Sequence, residues 1–311
     1  YEYCDLLITG SGPSGLASAY AAAKNGARVI LAEDKSRFGG SLLTSEVSIG
    51  NQNGKDWADN IIAELKEMPN VIVKNRAQVF GYYDHNMLVM SERINDHLPK
   101  SKKYSPKQRL WYIRSKEVVI SAGSIERPLV FGNNDTPGVV LSSAAKEYLK
   151  VYGVLVGRNP LIFTNNDSAY ETAIEFKKNG IWPIVLDTRS NPDSEIIDEA
   201  KRMGINIKFS YVVIAAKGYK KVTSAEIAKI SEDKKDLEKI ENINCDCICV
   251  SGFWTPTIHL ASQSGNKTIF NERIDAFVPS QPKQKETTIG SANGVFTLEE
   301  TLKTSFETGY E

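Results

Sequence analysis

The stretch that most restricts what this chain can fold into is "CDLLITGSGPSGLASAYAAAKNGARVILAEDKSRFGGSLL", residues 4–43. It reads as strand, glycine turn, helix and strand. Cys4 to Thr9 is a short apolar run. Leu16, Ala19, Tyr20 and Ala23 recur at helical spacing, Gly26 closes that helix, and Arg28 to Glu33 forms a second strand. Gly10 makes the tight turn and Gly12 lets a pyrophosphate approach the backbone. Gly15 lets the helix pack closely on the strand, and the helix N-terminus faces the phosphates. Glu33 ends the second strand, where a carboxylate accepts hydrogen bonds from an adenosine ribose. No arginine stands at that carboxylate's position, so a 2'-phosphate is repelled and NAD or FAD is favoured over NADP. Strand, helix, acid and the pair Gly39-Gly40 agree with one another. The expectation is a dinucleotide site rather than a glycine-rich turn in an empty α/β domain.

Farther on, "KEVVISAGSIERP" (116–128) is an apolar strand ending in Ala122-Gly123, small residues that let the chain pass close to a bound nucleotide. Residues 71–90 and 109–120 are strand-like and form a β excursion with a turn at Asp84-His85-Asn86. Residues 159–187 repeat the opening rhythm as "NPLIFT", "DSAYETAIEFKKNG" and "WPIVLD". Asp167 is expected as the N-cap, with Tyr170 and Ile174 on the inner face. This second turn has no glycine. Side chains at Asn165, Asn166 and Asp167 keep a pyrophosphate from the backbone, so the second site is expected to be closed. An enzyme that reduces a flavin with external NAD(P)H needs both sites, which disfavours reductase activity.

Length and composition set the remaining bounds. The 311 residues favour two domains over one. The expected fold is α/β: two Rossmann-like domains, with the second (141–265) inserted into the first (1–140 plus 266–311). Lys+Arg and Asp+Glu both number 38, so no net basic field is present to hold nucleic acid or an anionic membrane. No apolar run approaches the ~18 residues that span a bilayer, and the expected compartment is the cytoplasm. The chain starts at Tyr1 and ends at Glu311 just beyond a helix pattern, as expected of a piece of a longer polypeptide.

The remaining motifs favour packing over chemistry. Cys245, Cys247 and Cys249 alternate along one strand and are expected on one face. Alternate strand residues lie ~6.6 Å apart, whereas zinc-bound sulfurs lie about 3.8 Å apart, so core packing is favoured over a metal. His85 reads as a turn residue, His97 as a loop residue and His259 as a hydrogen-bonded core group; none pairs with a nucleophile. No catalytic residue is assigned. Residues 93–109, with four lysines and two arginines, read as a solvated loop, with partner docking as the alternative. Residues 217–241 read as an exposed excursion of the second domain.

The order of glycine turn, acid, Gly-Gly and Ala-Gly resembles the two-dinucleotide-binding flavoproteins of the glutathione-reductase-like fold, which usually carry FAD in the first site. In that class a late strand ends in Gly-Asp, whose carboxylate binds the ribityl chain. Here "TIGSANGVFTLEETL" offers Gly290, Ser291, Ala292 and Asn293. NAD has no ribityl chain and needs no such acid, which favours NAD while leaving FAD open.

"SAGSIERPLVFGNNDTPGVVLSSAAKEYLKVYG", "TNNDSAYETA", "CVSGFWTPTIHLASQSG" and "ANGVFTLEETL" together resemble the α subunit of heterotetrameric sarcosine oxidase, over residues 4–309. Related amine and opine dehydrogenase subunits share parts of these stretches. The resemblance implies tightly bound NAD, with contacts from Gly10, Gly12, Ser14, Gly15, Glu33, Asp34, Lys35, Ser41, Val79, Ala292 and Leu298. N–H groups at the start of the Thr297 helix add an anion-friendly contact. It also implies partner β, γ and δ subunits, FAD on the β subunit and FMN at the α/β interface. There sarcosine is oxidised with formation of hydrogen peroxide. Folate use is implied for the full-length subunit only. Residues 254–265 are expected either to face a partner flavin or to be a packed connection. The competing readings are a self-standing FAD-dependent oxidoreductase and a scaffold that no longer binds nucleotide.

Overall fold

The apolar run after Tyr1 becomes β1 (Glu2–Thr9), whose last four residues are all buried. The computed structural model describes residues 1–98, 105–233 and 235–310. Helix α1 (Pro13–Lys24) starts with proline at its first turn and Gly12 as N-cap. Proline's missing N–H costs nothing there, because the first helical donors lack intrahelical partners anyway. Strand β2 (Val29–Ala32) follows, then a 3-10 turn at Gly40–Leu43 and the small ribbon β3 (Ser48–Ile49) with β4 (Gln52–Asn53). Helix α2 (Gly54–Glu67) is capped by Asn53, whose Oδ1 accepts from Asp56 N at 2.9 Å. Then come β5 (Val71–Lys74), β6 (Ala77–Tyr83), β7 (Met87–Arg93), the long β8 (Gln108–Ile120) and β9 (Ser124–Glu126).

The second stretch of chain opens with β10 (Val139–Leu141), α3 (Ser142–Tyr152), β11 (Pro160–Thr164), α4 (Ser168–Lys178), β12 (Ile184–Asp187), α5 (Glu195–Arg202) and β13 (Asn206–Phe209). An antiparallel sheet follows, made of β14 (Tyr211–Lys217), β15 (Ser224–Ile230) and β16 (Leu237–Asn244). Then come β17 (Cys247–Ser251) and β18 (Trp254–Pro256). The chain ends with α6 (His259–Gln263), β19 (Lys267–Asn271), β20 (Ala276–Gln281), β21 (Glu286–Thr288) and α7 (Leu298–Tyr310).

Two compact units result: Tyr1–Ile125 with Thr255–Glu311, and Glu126–Trp254. The divisions fall inside β9 and β18, earlier than the boundaries near 140 and 265 expected from sequence. Residues 126–140 go with the second unit because β10 is an edge strand of its sheet, paired with β17.

In the first unit β5, β2, β1 and β8 run parallel, and β21 adds to the far edge of β8. The long β8 serves two partners: Gln108–Arg114 pairs antiparallel with β7, and Val118–Ile120 pairs parallel with β21. Helix α7 lies along α1 and meets it with Thr301, Ser305 and Gly309, all buried and small. A side chain at Gly309 would collide with the Ser18 carbonyl. Leu16 is fully buried, a contribution of about 1.5–3 kcal/mol.

The second unit repeats the plan, with parallel strands in the order β10-β17-β11-β12-β13. Helices α3, α4 and α5 cover one face around Tyr170, Phe176 and Ile197. The β14–β16 sheet covers the other face around Val213, Ala225 and Ile227. The stretch 217–241 is therefore not simply an exposed excursion: β15 supplies core, while Leu237 and Ile240 remain exposed. The three cysteines also part company. Cys247 and Cys249 face the helices, whereas Cys245 packs on the opposite side. It precedes β17, where the chain turns as Cys245 N donates to Thr223 O and Asp246 N to Asn159 O. His259 is exposed at the start of α6, not in the core. His85 takes a left-handed φ of 60° in its turn. Part of the basic stretch 93–109, namely 99–104, lies outside the described residues. Among the described residues no helix is long and apolar enough to cross a membrane.

Candidate functional site

The glycine turn of the first unit stands at the carboxyl ends of β1 and β8, where ligands bind in open parallel sheets. Gly10 has φ +101°, and a side chain there would strike the Ser121 carbonyl. Ser121, absent from the residues singled out in the sequence, holds the turn: its Oγ donates to Thr9 O at 2.8 Å and Gly10 O at 2.9 Å. A Cβ at Gly12 would meet nothing within 4 Å, so the space over the turn is open. A Cβ at Gly40 would lie 2.8 Å from Gly12 Cα, which places the second glycine pair directly behind the turn. Open space over the backbone and a helix N-terminus are features that a cradle for pyrophosphate needs.

Glu33 is 6% exposed, just beyond β2. Its Oε2 accepts from Ser11 N at 2.9 Å and Ser11 Oγ at 2.5 Å, and its Oε1 accepts from Lys35 N at 2.9 Å. Ser11 O in turn accepts from Gly39 N at 3.0 Å. Ser11, at 0% exposure, thus joins the turn, the acid and the Gly39-Gly40 pair. Sequence reasoning passed over it because only its fold-back onto Glu33 reveals its role. Burial raises the Glu33 carboxyl above the usual carboxylate range, helped by Asp34, while the Ser11 and Lys35 donors oppose the shift.

Glu33→Gln is expected to weaken dinucleotide binding about tenfold or more, since an amide nitrogen would meet the Lys35 N–H or the ribose hydroxyls with donors. Its pH signature has a definite sign. A carboxyl raised in the folded state stabilises folding most below its unfolded pKa near ~4.3, and stability falls as pH rises through the folded value. The variant lacks that fall. Its melting temperature relative to wild type is therefore higher at pH 7 than at pH 4, and thermal unfolding at both pH values checks this.

The other sequence-predicted contacts fall around the same end of the sheet. Asp34, Lys35 and Ser41 are exposed, Val79 lies in β6 against the core, and Ala122 and Gly123 follow β8 partly buried. Ser14 is 6% exposed and lies behind Gly290, where an added Cβ would be 2.7 Å from its Oγ. Ala292 is fully buried in the 3-10 turn Gly290–Asn293, and Leu298 packs on the core at the first turn of α7. One feature departs from the sequence reading: Arg93, at the end of β7, reaches the adjacent backbone, its Nη2 donating to Asp34 O at 2.8 Å.

The second unit's turn is filled from within. Asn166 is 7% exposed. Its Nδ2 donates to Ser251 O and Oγ at 3.2 and 3.1 Å, and its Oδ1 accepts from Ser168 N and Oγ at 3.0 and 2.7 Å. The first donor of α4 is thereby capped by Asn166 rather than Asp167, which makes no capping bond. Asp167 instead meets Arg189 Nη2 at 2.8 Å. Counting from the threonine that ends each strand, Tyr170 stands where the first turn has Gly15. Its hydroxyl donates at 2.8 Å to Asp187, the fully buried last residue of β12. Arg189 closes on that carboxylate through Nη2 at 2.7 Å and Nε at 3.0 Å. Helix donors and terminal acid are both satisfied by the unit itself.

A family model described as FAD dependent oxidoreductase matches residues 5–84. The chain is 36% identical over 293 residues to sarcosine oxidase subunit alpha of Rhizobium meliloti (strain 1021), covering 94% of this chain and 29% of that protein. It is 33% identical to the subunit of the same name from Corynebacterium sp. (strain P-1), covering 99% and 32%. The chain thus spans about a third of the length of these relatives. Among solved structures, T. acidophilum thioredoxin reductase superposes with a TM-score of 0.74 at 14% identity, covering 99% of this chain and 96% of that one. At that identity the likeness shows the fold alone, which is glutathione-reductase-like. The chain is therefore a homologue of sarcosine oxidase α subunits, over the third of their length that it spans.

Proposed function

We propose that this chain is the NAD-binding region of the α subunit of a multisubunit sarcosine (N-methyl amine) oxidase. The observation that carries the reading is the asymmetry of the two turns: one is open and braced for a dinucleotide, the other is plugged by Asn166 and Arg189. The names of its relatives supply the reaction class. In the first unit, α1 directs its N-terminal donors at a pyrophosphate and Glu33 accepts from an adenosine ribose. The residues at 290–293 offer no carboxylate to a ribityl chain, which favours NAD over FAD. No residue of this chain is assigned a catalytic role. Oxidative demethylation of sarcosine to glycine, with hydrogen peroxide formed, belongs to flavins expected elsewhere: FAD on the β subunit and FMN at the α/β interface. The γ and δ subunits complete the assembly, in the cytoplasm, and folate binding lies outside this region.

The family match over residues 5–84 supports a second reading, a self-standing FAD-dependent oxidoreductase. Heat denaturation of the purified chain, with the released nucleotide identified by mass and absorbance, separates the two. Release of NAD without flavin absorbance is the expected result. Release of FAD would overturn the NAD assignment and favour the second reading.

A further inference from the structure

Between β5 and β6 the backbone takes a costly step. Arg76 sits at φ +51°, a left-handed conformation that a side chain with a Cβ adopts only when its surroundings hold it there. What holds it is the segment that carries the ribose acid. Glu33 N donates to Lys74 O at 2.8 Å, which continues the ladder of β2 with β5. From there, four consecutive main-chain carbonyls are each taken by a donor from the β5–β6 junction or from β7. Glu33 O accepts from Ala77 N at 2.8 Å and Lys35 O from Arg76 N at 2.9 Å. Asp34 O accepts from Arg93 Nη2 at 2.8 Å, and Ser36 O from Asn75 Nδ2 at 2.8 Å. Arg93 is itself tied to the strained residue, its N donating to Arg76 O at 2.8 Å.

A loop with four carbonyls engaged on one side has little freedom to turn. The Lys35 N–H of the same loop is directed back to the acid, donating to Glu33 Oε1 at 2.9 Å. Of the four donors, only Arg93 is ionised, and a guanidinium–carbonyl bond is stronger than a neutral one. We propose that Asn75, the left-handed Arg76 and Arg93 form a clasp that fixes the Glu33 carboxylate for the adenosine ribose, with Arg93 its main positioning residue. The inference rests on the dinucleotide reading of the first unit. It is indifferent to the choice between NAD and FAD, since both carry the same adenosine half. The β6–β7 hairpin thereby gains a role in binding, because its base carries the far half of the clasp.

The test compares wild type, Arg93→Met and Arg93→Lys in the 311-residue chain, freed of bound nucleotide. Calorimetric titration with NAD, with FAD and with ADP-ribose gives the affinities, and thermal unfolding gives stability. For whichever dinucleotide the wild type binds, and for ADP-ribose, Arg93→Met is expected to weaken binding in parallel by about tenfold. Arg93→Lys, which can still donate to the Asp34 carbonyl, recovers most of that loss, and both variants melt close to wild type. Wild-type affinity in Arg93→Met would overturn the clasp and leave the dinucleotide site standing. A loss that lysine does not rescue, or one that merely follows a lowered melting temperature, would also overturn it. A wild-type chain that binds none of the three would overturn the dinucleotide reading, and the clasp with it.

Discussion

Gly15→Ala is expected to abolish dinucleotide binding and to destabilise the first unit by about 1–3 kcal/mol, the usual cost of forcing one carbon into a filled space. The added carbon would collide with the Gly10 carbonyl oxygen and lie 2.7 Å from Ser121 Oγ. Neither can withdraw cheaply. The Gly10 carbonyl accepts from Ser121 Oγ, and the same hydroxyl also donates to Thr9 O. The start of α1 must lift instead, and its N–H groups then no longer point where a pyrophosphate would sit. Gly12→Ala is the informative comparison. Its Cβ meets nothing within 4 Å, so it should cost little stability yet still block the approach of phosphate to the backbone. Titration with NAD and FAD together with thermal unfolding reads both variants. Wild-type affinity in Gly15→Ala would show that the turn holds no dinucleotide in the assumed pose.

Arg189→Met is expected to have the largest effect in the second unit. Among the described residues it leaves the Asp187 carboxylate, at 0% exposure, with the Tyr170 hydroxyl and the Arg189 backbone N–H as donors. Breaking a buried pair from one side costs about 3–5 kcal/mol. Arg189 retains 31% side-chain exposure, so water recovers part of the loss and about 2–4 kcal/mol is the expected figure. Replacing both partners, as in Asp187→Leu with Arg189→Met, should recover only part of it: no buried charge then remains unpaired, but the buried Tyr170 hydroxyl loses its acceptor. Binding at the first unit should be unaffected by either change. The second turn should stay closed to NAD(P)H, since Asn166 still caps α4 and Tyr170 still fills the position of the third glycine. Binding of NADH near Asn165–Ala169 in the single variant would show that the ion pair alone had been closing the site.

The structural contrast between the two turns is legible in the sequence, and its physical basis is local. Three glycines at 10, 12 and 15 or none at 164–173 decide whether backbone can approach a phosphate, and no tertiary contact can restore space that a Cβ occupies. The periodicity of Leu16, Ala19 and Ala23 likewise reflects one helix face, read within a few turns. The capping of α4 was harder to read. Asp167 holds the N-cap position, but a residue one place earlier has the better angle once Ser251 fixes its amide.

Sequence alone determined the strand–turn–helix frame of both units and which of the two turns is open, because those depend on residues within about one turn of each other. Only the tertiary structure decided what braces the open turn and plugs the closed one. Ser121 reaches Gly10, Arg93 reaches Asp34, Ser251 reaches Asn166, and a β-sheet rather than a second helix layer covers one face of the second unit. Those partners lie many residues apart along the chain. A hydrogen bond between such distant groups is set by strand order and register, and no local pattern of residues encodes it.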